Sequence, residues 1–276
     1  MARLEVGYLG PMGTYSHLVA EKRYGPRAKL FPLPTILDVC QFVSRDPARR
    51  GIVPIENSSG GAIYEMVDIL LGNRPRVNIL EELSLNVRLA LLGRRGEKPR
   101  VLYSHFAPLD HCAGWIRKHL PRAEKRVVAS TAVAALQAAS QRNAVALGDR
   151  KLARLYGLEI LHYPVEADMP NVTVFLAIGG TRRIQPFGSK ITLAVKLPNV
   201  PGSLCAFLET FRDHGVNLSR LLSRPIRGQP RQYAFLVDIE GSAEASNVRR
   251  ALRKARSVSA EFRLVGAYPC RKPYTS

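Results

Sequence analysis

Short β-branched or apolar runs alternate with longer helical patterns along most of this chain, and nothing else in the sequence restricts the fold as much. The pairs are 4–9 then 14–24, 51–55 then 62–71, 127–129 then 131–140, and 144–147 then 149–156. A strand followed by a returning helix is the unit of largely parallel sheets, so an α/β region is predicted. Residues 77–92 are apolar with few breakers and predict extended chain crossing between two lobes, which makes a hinged cleft. The Pro-rich piece 31–34 predicts a loop leading into a helix.

From Gly179 to Ser189 the chain turns polar and Gly/Pro-containing, which predicts a domain boundary, with units at 1–182 and 189–276. Beyond it the pattern reads strand 191–197, helix 201–214, strand 216–223, strand 232–239, helix 243–255 and strand 261–267. That order is the ferredoxin-like βαββαβ arrangement. A length of 276 residues suits two domains.

The formal charge of +19 raises the question of a nucleic-acid partner. Residues 183–276 hold 16 Lys+Arg against 6 Asp+Glu, leaving 25 against 16 in 1–182, so the excess is spread over both parts. No helix-turn-helix, zinc-finger or RNP-like motif accompanies the basic stretch Arg249 to Arg256, which reads as solvated surface. A diffuse positive field of this kind draws in small anions. Nucleic acid is therefore not expected as a partner. Cys40, Cys112, Cys205 and Cys270 are scattered with no C-x-x-C pair, so mostly buried free thiols are expected, with no metal site and no disulfide framework. No apolar run reaches the roughly 18 to 20 residues that span a bilayer, and the first residues lack a signal-peptide pattern. Neither a membrane nor a secretory route is expected, which implies the cytoplasm.

At three places a strand ends and a cluster of small hydroxyl or amide residues opens the next helix. They are Gly10-Pro11-Met12-Gly13-Thr14-Tyr15-Ser16, Glu56-Asn57-Ser58-Ser59-Gly60-Gly61 and Ser130-Thr131. Taken singly, each hydroxyl or amide is an N-cap contributing about 1 kcal/mol. Taken together, three helix starts with free N–H groups and positive dipole ends make a cradle for carboxylate or phosphate. His17, His105 and His111 could act as acids or bases near such a cleft, but no carboxylate or cysteine lies at a spacing that demands catalysis or ligation, so a structural role is expected.

The segments 7–17, Val53-Pro54-Ile55-Glu56-Asn57-Ser58, Ser130-Thr131-Ala132-Val133-Ala134-Ala135 and Asn171-Val172-Thr173-Val174-Phe175 closely resemble the successive signatures of the prephenate dehydratases. Pro198-Asn199-Val200-Pro201-Gly202-Ser203-Leu204 and residues 216–225 are similar to the two phenylalanine-binding segments of the ACT domain in these enzymes. The resemblance implies a two-lobed, periplasmic-binding-protein-like catalytic region followed by a ferredoxin-like ACT regulatory domain. It implies conversion of prephenate to phenylpyruvate with loss of carbon dioxide and water, no metal or organic cofactor, modulation by phenylalanine, and a homodimer or homotetramer.

By that resemblance Thr173 is catalytic, donating its hydroxyl bond to the departing hydroxide. Thr14, Ser16, Asn57, Ser58, Ser130, Thr131, Asn171 and Phe175 bind substrate. Asn199, Gly202, Ser203, Leu204, Leu222, Ser223, Arg224 and Pro225 bind effector, with Ser203 and Leu222 standing where the family has Ala and Glu. The family has arginine where this chain has Val174, which implies loss of a charge-assisted substrate contact worth about 1.5–3 kcal/mol. Two alternatives follow from Val174: a catalytically silent amino-acid-binding homologue, or an enzyme of altered outcome such as a prephenate decarboxylase or arogenate dehydratase.

Overall fold

The computed structural model describes residues 3–58, 60–72, 75–165, 170–180, 188–226 and 228–276. The centre of the expected boundary, 181–187, lies outside the described residues.

The first lobe takes β1 (Leu4–Leu9), α1 (Tyr15–Tyr24), β2 (Ala28–Leu33), α2 (Ile36–Ser44), β3 (Arg50–Asn57), the short β4 (Gly61–Ala62), α3 (Tyr64–Leu71) and β5 (Asn78–Asn86). The second takes β6 (Leu89–Gly93), β7 (Val101–Ser104), α4 (Phe106–His111), α5 (Ala113–His119), β8 (Glu124–Val127), α6 (Thr131–Ser140), β9 (Ala144–Gly148), α7 (Lys151–Tyr156) and β10 (Glu159–Val165). β11 (Val172–Gly179) then returns to the first sheet. The sheet orders are β16-β5-β11-β3-β1-β2, with β4 on β3, and β10-β6-β9-β7-β8. Residues 77–92 do cross, split between β5 in one sheet and β6 in the other.

Three expectations change. The sheets are mixed rather than largely parallel: β1, β2 and β3 are parallel, but β11 is antiparallel to β3 and β5, and β6 to β9 and β10. The cause is the double crossing, because the chain that leaves one lobe must come back beside the strand that left it. Residues 31–33, expected as loop, belong to β2, an edge strand in which Pro32 sits opposite Tyr8. An edge tolerates a proline, whose missing N–H costs no ladder bond on the open side. The strand expected at 127–129 is shifted back to Glu124–Val127.

Local sequence explains the elements that carry the cleft. In β3 the run from Gly51 to Ile55 is fully buried, as a central strand covered on both faces requires. Helix α6 buries Ala132, Ala134, Ala135 and Ala138, whose small side chains let it lie close on its sheet. Gly13, at φ +92°, stands where a Cβ would come within 2.8 Å of Leu152, so only glycine lets the first lobe's turn approach α7 of the second.

The C-terminal unit takes β12 (Lys190–Lys196), α8 (Ser203–Arg212), β13 (Leu218–Pro225), β14 (Tyr233–Glu240), α9 (Ser246–Ser257) and β15 (Glu261–Tyr268), in sheet order β13-β14-β12-β15. This is the ferredoxin-like arrangement. One face of the sheet carries α8 and α9 over a core of Leu193, Val195, Phe207, Phe211 and Val237. The other face packs on the first lobe: Ala194, Leu236, Val265 and Tyr268 share a cluster with Val53, Ile55, Met66, Val67 and Ile79. A short β16 (Tyr274–Thr275) then pairs in parallel with β5, tying this unit into the first sheet.

Cys40 and Cys112 are buried but Cys205 and Cys270 are exposed, so half rather than most of the thiols lie inside. Cys205 falls on the solvent side of α8, and Cys270 follows the last core strand. No helix among the described residues is long and apolar enough to cross a membrane.

Candidate active site

A cavity of about 640 Å³ opens between the lobes, within the usual range for small-molecule sites. Its wall gathers two of the expected helix starts, Gly10, Pro11, Thr14, Tyr15 and Ser16 before and in α1 and Ser130 and Thr131 at α6. Asn57, Gly60 and Gly61 also line it, but they lie at the end of β3 and in the turn into β4 rather than opening a helix, because that segment pairs back on β3 and α3 begins only at Tyr64. Asn171, Thr173 and Phe175 line it from β11.

The capping residues have their expected local bonds as well. Thr14 Oγ1 accepts from His17 N at 3.3 Å and donates to Leu9 O at 2.9 Å; Ser130 Oγ accepts from Val133 N at 3.1 Å. Each cap therefore satisfies the third N–H of its helix, while no described bond uses the first two, those of Tyr15 and Ser16 or of Thr131 and Ala132. These N–H groups are the standard anion-binding feature of a helix start.

Asn57 organises the floor. Its amide nitrogen donates to Thr173 Oγ1 at 2.8 Å and Asn171 Oδ1 at 3.1 Å, and its carbonyl accepts from Gly60 N at 3.1 Å. Thr173 is thus a hydrogen-bond acceptor in the wall, and no described contact consumes its own hydroxyl proton. A bond received at oxygen strengthens the O–H as a donor.

Ser58 is placed differently from the rest of its motif. It is not in the wall; its hydroxyl donates to Pro170 O and accepts from Val172 N, each at 2.9 Å, fastening β3 to the start of β11. Val174 also lies outside the wall. Alternation along β11 turns Thr173 and Phe175 to the cavity, and Val174 packs instead against the cluster shared with the C-terminal unit. A longer side chain at 174 would start from that face.

Among the described lining residues there is no lysine or arginine; Glu65 and His105 are the acidic and imidazole groups. Burial lowers the His105 pKa below its ordinary value, which leaves the ring neutral near pH 7. The sequence treated His105 as structural, and its place in the wall had no local signal beyond the strand end before it. His17 is turned away, with Nδ1 accepting from Gly13 N at 3.2 Å and its ring 5.0 Å from that of Tyr8. His111 is buried. Tyr15 reaches between the lobes, where its hydroxyl is buried beside Asp149; burial first and Asp149 second push the Tyr15 pKa well up, against the opposing pull of a hydrogen bond with Thr131.

The eight residues expected to bind effector fall in two groups. Asn199, Gly202, Ser203 and Leu204 surround the start of α8, which Gly202 caps at φ +82°. On β13, Leu222 packs onto the first lobe, Arg224 pairs with Asp68, and Ser223 and Pro225 are exposed. No described hydrogen bond joins the two groups.

The family model for prephenate dehydratase matches residues 6–183 and that for the ACT domain matches 191–257. The chain is 33% identical over 270 residues to a bifunctional chorismate mutase/prephenate dehydratase of Aquifex aeolicus, covering 97% of this chain and 74% of that protein. The fold is similar to prephenate dehydratase of Arthrobacter aurescens solved with L-Phe, with TM-score 0.86, 28% identity, and 96% and 90% of the two chains covered. It is equally similar to GqqA, described as a novel type of quorum quenching acylase, with TM-score 0.85, 28% identity, and 97% and 98% covered. Both regions of the sequence and the cleft between its lobes thus lead to one assignment: the chain belongs to the prephenate dehydratase family and carries a C-terminal ACT domain.

Proposed function

We propose that the protein converts prephenate to phenylpyruvate, and that phenylalanine bound to the ACT domain modulates the reaction. The catalytic unit is 1–182 and the regulatory unit 189–276. The observation that carries the reading is Thr173 in the cavity wall, bonded at its oxygen by Asn57 and sharing that wall with the starts of α1 and α6.

In this reaction the C–C bond to the ring carboxylate breaks, its electron pair enters the ring, and the C–O bond at the opposite carbon breaks to release hydroxide. One proton taken up overall turns that hydroxide to water, so prephenate dianion and a proton give phenylpyruvate anion, carbon dioxide and water. Thr173 donates its O–H to the departing oxygen, where negative charge develops. Threonine is a weak acid, so its contribution is a fixed hydrogen bond, which Asn57 strengthens and aims. Thr14, Ser16, Ser130 and Thr131 place the N–H groups that receive the carboxylates, and Asn171 holds the Asn57 amide. Phe175 gives the ring an apolar wall. No step calls for a metal or organic cofactor.

Likeness to the acylase supports a second reading, hydrolysis of an acyl bond in the same cavity. His105 is the imidazole in the described wall, and no described bond joins it to Ser130, Thr131 or Thr173, so a hydroxyl activated by an imidazole is not assembled. Prephenate with the purified protein, products identified by mass spectrometry, decides between them. Phenylpyruvate formation supports the first reading; its absence at every substrate concentration removes it. Cytoplasmic location and a homodimer or homotetramer belong to the same proposal, the latter supported by β13 standing at the edge of its sheet. Light scattering tests it.

A further inference from the structure

Two arginines of β13 reach out of the ACT domain and hold the cleft wall at both ends. The segment 57–65 supplies Asn57, Gly60, Gly61, Ala62, Ile63 and Glu65 to the wall. Just before it, Glu56 Oε2 accepts from Arg220 Nη2 at 2.8 Å and Nε at 3.1 Å. Just after it, Asp68 accepts a two-pronged bond from Arg224, Nε to Oδ1 at 2.6 Å and Nη2 to Oδ2 at 2.8 Å. The Arg224 guanidinium also lies 4.6 Å over the Tyr64 ring.

Between those anchors Gly61 and Ala62 pair back on Asn57 and Glu56, and Ala62 and Ile63 pack against the shared cluster, so the segment's position follows that of the Glu56 end. Gly61 has φ +70°, and a Cβ there would meet nothing within 4 Å. Arg220, by contrast, is rigidly seated. It pairs with the fully buried Asp238, whose other oxygen accepts from Thr192 at 2.6 Å, and Thr192 in turn bonds the Tyr268 hydroxyl at 2.6 Å. Burial works against the Arg220 charge, but Asp238 and Glu56 more than offset it and hold the guanidinium pKa above its ordinary value.

β13 is also an edge strand, paired on one side by β14. A displacement of that strand moves both guanidinium groups together, and with them Glu56, the immediate neighbour of the Asn57 that holds Thr173.

We propose that Arg220 and Arg224 are positioning residues that clamp segment 57–65 in its binding geometry, and that β13 is the lever through which a ligand on the ACT domain alters the cleft. The turnover arm of the test rests on the dehydratase reading; the exchange arm does not. Glu56→Ala and Asp68→Ala, alone and together, remove the far ends of both bonds while leaving Arg220 on Asp238, so the buried pair and the fold are kept. Hydrogen exchange by mass spectrometry on the full chain is expected to quicken within 57–65 by about fivefold or more, the lower end of ordinary site-to-site coupling, with α8 and α9 unchanged. In wild type, saturating phenylalanine is expected to change exchange in the same segment, and the double variant to lose that response.

Turnover of prephenate should fall chiefly through a higher KM, and Asp68→Glu should recover part of it. Wild-type exchange in 57–65 of the double variant overturns the clamp. An unchanged phenylalanine response in the double variant, or none in wild type, overturns the lever. A wild type silent toward prephenate whose segment is still loosened by the substitutions leaves the clamp standing and removes the dehydratase reading instead.

Discussion

The cleft and the seam between the catalytic unit and the ACT domain treat charge in opposite ways. The cleft wall has no described lysine or arginine, although the chain has 41 of them. The seam concentrates them: Arg220 on Glu56, Arg224 on Asp68, Lys190 on Glu82, Arg271 on Glu81, and Arg263 donating to the carbonyls of Leu70 and Gly72 at the end of α3. Helix-start N–H groups are fixed in place by the backbone and need no rotamer ordering when an anion arrives. Long cationic side chains suit a seam, where they bridge two bodies and fix their register. A strongly basic chain can thus attract anions over its whole surface and still receive them in a cavity built from dipoles.

The largest expected effect breaks the seam at its buried end. Arg220→Ala strands the Asp238 carboxylate in the interior, where burial already pushes its pKa up, and should cost about 3–5 kcal/mol of stability, read by urea unfolding. A loss below 1 kcal/mol would mean the pair is open to water and the contrast with the cleft is overstated.

Next is Thr173→Ala, which should lower kcat by about 10²–10³ with the unfolding midpoint unchanged, as for removal of one fixed donor from a developing charge. Full activity would remove Thr173 from the mechanism.

Val174→Arg sharpens the comparison, because it adds a cation on the seam side of β11. It should destabilise by about 1–3 kcal/mol through crowding in the shared cluster, without improving kcat/KM. A tenfold gain in kcat/KM would show that a side chain at 174 can reach the cavity after all.

The smallest effect is a pH dependence. His105 is held below its ordinary pKa by burial, so its neutral form stabilises the fold above the unfolded value of about 6.5, and that contribution is lost as pH falls through the lowered one. Below that point the wall gains its first cation, and KM for a dicarboxylate should fall in wild type but stay flat in His105→Gln. A pH-independent KM in both would leave the cleft dipolar throughout.

Much of the cleft could be read along the chain because caps are local. Thr14 and Ser130 carry their signal within three residues, and both are caps and wall at once. Period-two alternation could also have placed Val174 on the face opposite to Thr173. The partner of Glu56 was not, since Arg220 lies 164 residues away and only the packing of two domains brings it there. The backbone partners of Ser58 were hidden for a similar reason. Its partners Pro170 and Val172 sit across the second lobe crossing, and a hydroxyl next to Asn57 looks the same in sequence whether it faces a ligand or a backbone. Pro32 in β2 depended on that strand being an edge, which is a property of sheet order rather than of local composition.

Beyond β16, Ser276 donates its backbone N–H to Asn86 O at 3.1 Å, and its hydroxyl accepts from Arg88 N at 2.8 Å. Those two residues flank the first passage of the chain from one lobe to the other. Ser276→Ala would take away the side-chain acceptor of the Arg88 N–H, loosening the tail's hold on the crossing while leaving the cores of both lobes intact.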